Sequence, residues 1–179
     1  MGKYKEELVK AMNWLGSKSD IVFIGQAVVD KGTAISDTLL NIPPEKKIEL
    51  PVTEALQMGL SIGMTLNGSK VVSIYPRFDF LILATNELVN HLNRLKKYSN
   101  NEYEPSVIIR TSIGSVKPLH PNFQHCNNYS DAFRLMCDNI DVIELIEAES
   151  IFPAYENAYN RTDGRSTILV EFADFLNET

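Results

Sequence analysis

The sequence predicts an α/β fold: a doubly wound, mostly parallel sheet with helices on both faces. Short apolar runs alternate along the chain with segments of helical periodicity, an order that is typical of βαβ units. Parallel neighbours need a crossover, which the intervening helices supply, and apolar strands need cover on both faces. With 179 residues, of which 44% are hydrophobic, the chain is expected to form one domain over residues 1–179.

The order of elements can be predicted from the periodicity. Six apolar runs are the predicted strands, at 20–25, 48–50, 70–75, 106–110, 141–145 and 166–171. Apolar residues recur three or four positions apart in the predicted helices, at about 3–16, from Glu54 onwards, at 79–98, near 128–138 and at 148–160. A polar loop is predicted at 30–47. Ligands of such sheets bind beyond the carboxyl ends of the strands, so we expect functional residues after Gly25, Leu50, Tyr75, Arg110 and Leu145.

Charge and composition exclude several function classes. The net charge of −6 argues against binding of nucleic acid or an anionic membrane through a basic patch. The sequence contains neither a segment apolar enough to span a membrane nor a secretory signal, so a cytoplasmic protein is expected. Cys126 and Cys137 belong to no metal-type spacing and are expected to be reduced thiols. No metal site is predicted in this chain.

The common motifs of nucleotide-binding proteins and hydrolases are absent from the sequence. No Gly-x-Gly-x-x-Gly follows a predicted strand, and the nearest approach to a phosphate loop, at 63–70, has Ser and Lys in the wrong order at the end of a helix. A Gly-x-Ser-x-Gly elbow is also missing. Stand-alone hydrolase chemistry is therefore not predicted.

Unusual side chains follow the predicted strands. Gln26 follows the first strand, Val52 and Glu54 the second, and the segment 76–80 the third, whereas His125 lies beyond the fourth. The set combines a carboxylate, two aromatic rings, an arginine and a histidine. It would suit a flat heteroaromatic ligand, with a ring for stacking and a carboxylate to share a proton with a ring nitrogen.

A simpler structural explanation is open for each of these residues. Glu54 stands in the first turn of a helix, where a carboxylate interacts favourably with the helix dipole. Phe78 and Phe80 could be core residues, Arg77 a solvated surface charge, and His125 an ordinary loop residue. The helix after Glu54 is apolar on most sides, however, so its carboxylate is expected at the edge of a core and in need of a partner.

The segment Leu50-Pro-Val-Thr-Glu54, followed by a helix with Gly59 and Gly63, resembles the pyrimidine-binding domain of thiamine-diphosphate enzymes. The similarity is greatest to the β subunit of the first component of 2-oxoacid dehydrogenases, with transketolase a more distant relative. It extends from Val22 to the last predicted strand and has no gap between Pro51 and Asn90. The resemblance implies the thiamine-diphosphate-binding fold and an activity of the transferase or oxidoreductase class.

The resemblance also implies roles toward the cofactor. The family's glutamate equivalent to Glu54 hydrogen-bonds a pyrimidine ring nitrogen and favours the imino form of thiamine diphosphate, which takes the proton from the thiazolium carbon. Val52 and Pro76 would line the pyrimidine pocket, Phe80 would stack on the ring, and Phe78 would form part of the wall.

His125 corresponds to a family histidine that reaches the substrate side of the thiazolium, so His125 and Glu54 are the catalytic candidates. Three positions differ from the family pattern: Gln26, expected beside the cofactor, replaces a usual glutamate, and Cys126-Asn127 replaces Ser-Gln. Apart from the resemblance, Arg77 follows the third strand beside the proposed pocket and is expected to pair with a carboxylate or phosphate of the substrate.

Partner chains are implied by what the sequence lacks. The family holds the diphosphate and its magnesium through a Gly-Asp-Gly segment and a paired-Asn motif, and neither is present in the sequence; the chain also stops at Thr179 without the usual C-terminal domain. We therefore expect a separate diphosphate-binding subunit, a homodimer or an α2β2-type assembly, and little activity of the chain alone.

Three functions remain open from the sequence. The first is half of an enzyme that acts on a 2-oxo acid or a ketose-type donor. The second is a non-catalytic assembly or regulatory module that retains the fold, and the third is a subunit of a split 2-oxoacid decarboxylase.

Overall fold

The computed structural model describes residues 2–30, 32–117 and 120–176. Its six strands are β1 (Ile21–Gly25), β2 (Lys47–Glu49), β3 (Lys70–Tyr75), β4 (Val107–Ile113), β5 (Ile140–Glu144) and β6 (Ser166–Phe172). They form one parallel sheet in the order β2-β1-β3-β4-β6-β5. The predicted α/β class and doubly wound parallel sheet are confirmed.

Helices connect the strands. The α-helices are α1 (Lys3–Gly16), α2 (Ala34–Asp37), α3 (Glu54–Leu66), α4 (Phe78–Leu81), α5 (Asn93–Tyr98), α6 (Ser130–Met136), α7 (Ala148–Tyr159) and α8 (Ala173–Leu176). Two 3₁₀ turns, Pro44–Lys46 and Ile82–Ala84, and a π-helical segment, Glu87–Leu92, complete the connections. No helix within the described ranges is long and apolar enough to cross a membrane.

The core has one layer on each face of the sheet. On one face, α1, α2, α7 and α8 bury side chains such as Leu8 and Ile151 against Val72 and other strand residues. On the other face, α3, α4, the π-helical segment and α6 bury Met58 and other residues against Val71 and its neighbours. Successive residues of β3 therefore point into different layers, as expected of a strand that is covered twice.

The prediction of one continuous helix at 79–98 is wrong. The structure divides it into α4, a 3₁₀ turn, a π-helical segment and α5. The apolar residues that predicted a helix, among them Leu81, Ala84, Leu88 and Leu92, are all buried. Periodicity thus identified the buried face, but the hydrogen-bonding type within the segment depends on how it packs against α3 and the sheet.

The predicted ends of two segments also change. The loop predicted at 30–47 contains α2, whose N-terminus is closed by a reciprocal capping box between Thr33 and Ser36. Strand β4 continues to Ile113, so Arg110, which the sequence placed at a strand end, lies within the strand and is fully buried. Arg110 is therefore a core residue and does not stand at the ligand-binding edge.

Candidate functional site

The candidate site is a cleft beyond the carboxyl ends of β1, β3 and β4, three neighbouring strands. It has a volume of about 510 Å³ and is lined by Ala27, Gly32, Thr33, Ala34, Ile35, Pro76, Arg77, Phe80, Ser115 and His125. The sequence placed functional residues at this edge, and the structure brings Pro76, Arg77, Phe80 and His125 together there.

A tight turn at Gly25 begins the cleft. Gly25 has φ +145, and a Cβ at this position would lie 2.2 Å from the carbonyl oxygen of Ile74 and 2.8 Å from the side-chain nitrogen of Gln57. Gln57 is itself fixed, because its Nε2 donates to Ser73 Oγ at 3.1 Å and to Ile74 O at 2.9 Å. Only glycine fits this close approach, and the turn directs the next residue, Gln26, toward α3.

Glu54 is the first residue of α3 and is only 4% exposed. Gln26 Nε2 donates to Glu54 Oε1 at 3.2 Å, and the Tyr75 hydroxyl donates to the Glu54 carbonyl oxygen at 3.3 Å. Gln26 is thus a partner for the buried carboxylate within the chain. Glu54 is absent from the lining of the cleft, but Gln26, which holds it, is joined directly to the lining residue Ala27.

Glu49 holds the loop that carries Gln26 and Ala27. Its carboxylate accepts the backbone N–H groups of Ala27, Val28 and Val29 at 2.7 to 2.8 Å. Ala27 has φ 57, a left-handed conformation that is unfavourable for a residue with a Cβ. We infer that these three hydrogen bonds stabilise the loop in the shape that places Gln26 beside Glu54.

Phe80 and His125 form one wall of the cleft. Their ring centroids lie 5.2 Å apart in an edge-to-face arrangement. His125 has φ 66, and its carbonyl oxygen accepts the N–H of Gly114 at 2.8 Å. The Nδ1 atom of His125 is buried without a hydrogen-bond partner in the described structure. The imidazole is therefore held by its backbone and by Phe80, with a nitrogen left unsatisfied.

Arg77 contributes a half-buried guanidinium to the same cleft. Its Nη1 donates to Pro76 O at 3.0 Å and to Ser112 Oγ at 3.3 Å. Burial lowers the pKa of Arg77, an effect that the nearby Cys126 and other acidic groups only partly oppose. The Arg77 side chain is not the solvated surface charge that the sequence left open.

Two other predicted site residues lie outside the cleft. Val52 is 73% exposed on the surface before α3. Phe78 is fully buried, stacked on Phe133 and in edge contact with Tyr129, both at 5.6 Å between centroids. Within this chain Phe78 therefore belongs to the core layer beneath the cleft, and Val52 faces outward.

Several residues of the site were not found from the sequence. Ser115 and Thr33 line the cleft, and Glu49 supports its loop. The only sequence signal for the role of Glu49 was an acidic residue at the end of the edge strand β2. The signal for the helix cap at Thr33 was a threonine three residues before a serine. Among the described residues, no group of three or more His, Cys, Asp or Glu side chains is arranged to hold a metal ion.

Comparison with known proteins relates this chain to a solved structure. No protein-family model and no curated protein matches the sequence. A solved structure described as "Split gene transketolase, inactive beta4 tetramer" is similar, with a TM-score of 0.70 and 18% sequence identity over 94% of this chain. This chain spans about half, 51%, of that protein. At this identity the similarity shows the fold alone: the chain shares its α/β fold with part of that split transketolase.

Proposed function

We propose that this chain is the pyrimidine-binding half of a split thiamine-diphosphate-dependent enzyme that acts on a 2-oxo acid or a ketose-type donor. A separate subunit binds the diphosphate. The observation that carries the proposal is the buried carboxylate of Glu54, held by the neutral amide of Gln26 beside a cleft with an aromatic wall. The fold of the split transketolase supports the proposal.

The residues present fit the pyrimidine end of the cofactor. Gln26 donates its hydrogen bond to Oε1 of Glu54. The Oε2 atom has no hydrogen bond from the described residues and can therefore accept one from a protonated ring nitrogen. Phe80 and Pro76 supply apolar surface in the cleft. When bound, thiamine diphosphate supplies an acidic thiazolium carbon that becomes the nucleophile toward a carbonyl.

Each side chain then has a distinct task. Glu54 accepts a hydrogen bond from the ring, and Gln26 orients the carboxylate without competing for a proton, because an amide does not ionise. Phe80 stacks on the ring, and His125 holds its imidazole toward the substrate. Phe78 supports the cleft from the core beneath it, whereas Val52 stands on the exposed segment before α3, outside the cleft.

The partner chain is proposed from the surface of α3. One side of this helix exposes Leu56, Leu60 and Leu66, and the adjacent Leu83 is 62% exposed. Gly59 and Gly63 lie on the same side, where an added Cβ would meet no atom within 4 Å. Packing within this chain therefore does not require the glycines, although each costs about 1 kcal/mol relative to alanine in a helix.

We propose that this α3 face, defined by Leu56, Gly59, Leu60, Gly63 and Leu66, packs closely against a second copy of the chain. An apolar stripe with small residues allows two helix backbones to approach closely. The similar split transketolase is described as a β4 tetramer, which supports self-association.

Replacing Gly59 by leucine tests this assembly. Because the site is open within the chain and leucine is a better helix former than glycine, the stability of the monomer should be unchanged or raised by up to about 1 kcal/mol. The protruding side chain should weaken self-association by about a hundredfold or more. Analytical ultracentrifugation at micromolar concentration measures the self-association of the wild type and of the Gly59→Leu variant.

The matched control is Asn157→Leu, which adds the same side chain at an exposed position of α7, a helix on the opposite face of the sheet. Its association should equal that of the wild type. A monomeric wild type, or a Gly59→Leu variant that still associates, contradicts the proposed interface.

The purified chain alone should show negligible thiamine-dependent turnover of 2-oxo acids or ketose phosphates, because the diphosphate-binding half is supplied by another subunit. Activity should appear when a chain that binds the diphosphate is added. Turnover by the single chain would refute the division into halves. A reconstituted complex that binds thiamine diphosphate without turnover would instead favour the non-catalytic module, the second candidate, which the description of the similar tetramer as inactive supports.

A further inference from the structure

The Arg77 guanidinium is a half-buried charge without a counter-ion among the described residues. Its hydrogen bonds go only to neutral acceptors, Pro76 O and Ser112 Oγ, and both come from Nη1. The N–H groups of Nε and Nη2 are therefore uncommitted within the described chain. Asp174 and Asp79 act on Arg77 electrostatically but form no ion pair with it. Since a charge removed from water is costly without a directly paired opposite charge, this environment favours an anion beside Arg77.

The neighbouring carboxylates, Asp174 and Asp79, make their hydrogen bonds to groups other than Arg77. Asp174 accepts the backbone N–H groups of residues 116 and 117 at 2.9 and 3.2 Å. Asp79 accepts the side chains of Asn127 and Tyr129 at 2.8 and 3.2 Å, both at Oδ1, and its Oδ2 is buried without a hydrogen bond to the described residues. Both carboxylates stabilise loops around the cleft, and neither forms an ion pair with Arg77.

A second, independent feature of the cleft also lacks a polar partner. Nδ1 of His125 is buried and makes no hydrogen bond to the described residues. Buried polar atoms are nearly always satisfied, and those that are not call for a missing group. His125 and Arg77 line the same cleft, so one polar ligand can contact both side chains.

We propose that the Arg77 cleft binds the oxyanion, a carboxylate or a phosphate, of a small acidic ligand. Arg77 makes the ionic contact through Nε and Nη2, whose parallel N–H groups match the two oxygens of either anion. His125 makes a hydrogen bond to the same ligand. The identification of this ligand as the substrate rests on the proposed function, whereas the anion site stands on the geometry of this chain alone.

Titration of the purified chain with inorganic phosphate and, separately, with acetate tests the site. At constant ionic strength set with chloride, NMR follows the Nε–H signal of Arg77 and the imidazole signals of His125. Both sets of signals should shift saturably with at least one probe. The probe that binds more tightly identifies the anion as phosphate or carboxylate.

Arg77→Met should weaken the binding by about tenfold or more, because a charge-assisted hydrogen bond contributes more than a neutral one. Arg94→Met is the matched control, since Arg94 is exposed and lines a different pocket. The affinity of this variant for the anion should equal that of the wild type. His125→Asn provides a variant that retains Arg77. Asparagine tolerates the left-handed conformation at this position, and the affinity should fall about threefold or more.

The absence of a saturable shift with either probe would overturn the proposal. An unchanged affinity in Arg77→Met, in a variant whose unfolding temperature matches that of the wild type, would also overturn it. These measurements need neither thiamine diphosphate nor a partner chain. Failure of the anion site and failure of the proposed enzyme are therefore distinguishable.

Discussion

Replacing Glu54 by glutamine is expected to slow proton–deuterium exchange at the thiazolium carbon of bound thiamine diphosphate by about a hundredfold or more. Glutamine is nearly isosteric and can still accept a hydrogen bond from Gln26 at this buried position. It lacks the charge that makes a carboxylate a strong acceptor for a protonated ring nitrogen. Exchange is measured by NMR in the complex with the diphosphate-binding chain, after bound cofactor has been quantified.

The competing explanation, that Glu54 acts only on the helix dipole, predicts a different result. In that case Glu54→Gln costs about 0.3–1 kcal/mol of stability and leaves the exchange rate unchanged. Glu149→Gln is the matched control, because Glu149 also lies in the first turn of a helix, α7, but is exposed and paired with Lys3. An exchange rate equal to that of the wild type, with cofactor bound, would leave Glu54 without a catalytic role.

Replacing Arg110 by methionine is expected to destabilise the protein by about 3–5 kcal/mol. Arg110 in β4 and Glu171 in β6 form a fully buried, bidentate ion pair, with Nε to Oε1 at 2.7 Å and Nη2 to Oε2 at 3.0 Å. Burial by itself lowers the pKa of Arg110, but attraction from Glu171 outweighs it and raises the pKa above the ordinary value. Without Arg110, the carboxylate of Glu171 remains buried, and among the described residues only the Tyr155 hydroxyl, at 2.6 Å, still donates a hydrogen bond to it.

Urea unfolding measures the effect of Arg110→Met on the free energy of unfolding. The double variant Arg110→Met/Glu171→Gln should recover part of the loss, since no unpaired charge remains and glutamine can still accept the Tyr155 hydroxyl. Asp131→Asn is the control for an exposed ion pair, that with Arg134, and should cost less than about 1 kcal/mol. An Arg110→Met variant that loses no more stability than Asp131→Asn would show that the buried pair has no stabilising role.

The ion pair between Arg110 and Glu171 could not be predicted from the sequence. The alternation of apolar runs predicted the strands that carry Arg110 and Glu171, but β4 was ended at Arg110, three residues early. The arginine was therefore expected at the ligand-binding edge. Which strand lies beside β4 depends on the topology, and residues 61 positions apart in the chain become neighbours only because β6 lies between β4 and β5.

The candidate site could be predicted in part for the same reason. Glu54, Phe80 and His125 follow strands, and strand ends are visible in the sequence as the points where apolar runs stop. The support that Glu49 gives to the loop of Ala27 was not predictable, because it depends on β2 pairing with β1. The burial of Phe78 against Phe133, similarly, depends on the packing of α6.

The sequence by itself determined the fold class, the succession of strands and helices, and the edge of the sheet at which the candidate cleft lies, because these follow from local periodicity and from the chirality of crossovers. The tertiary structure alone decided that Arg77 and His125 share one cleft, that Gln26 binds Glu54, and that Arg110 is a core residue. Local patterns specify which residues are buried, whereas contacts between distant polar groups depend on strand order and on side-chain packing across the entire core.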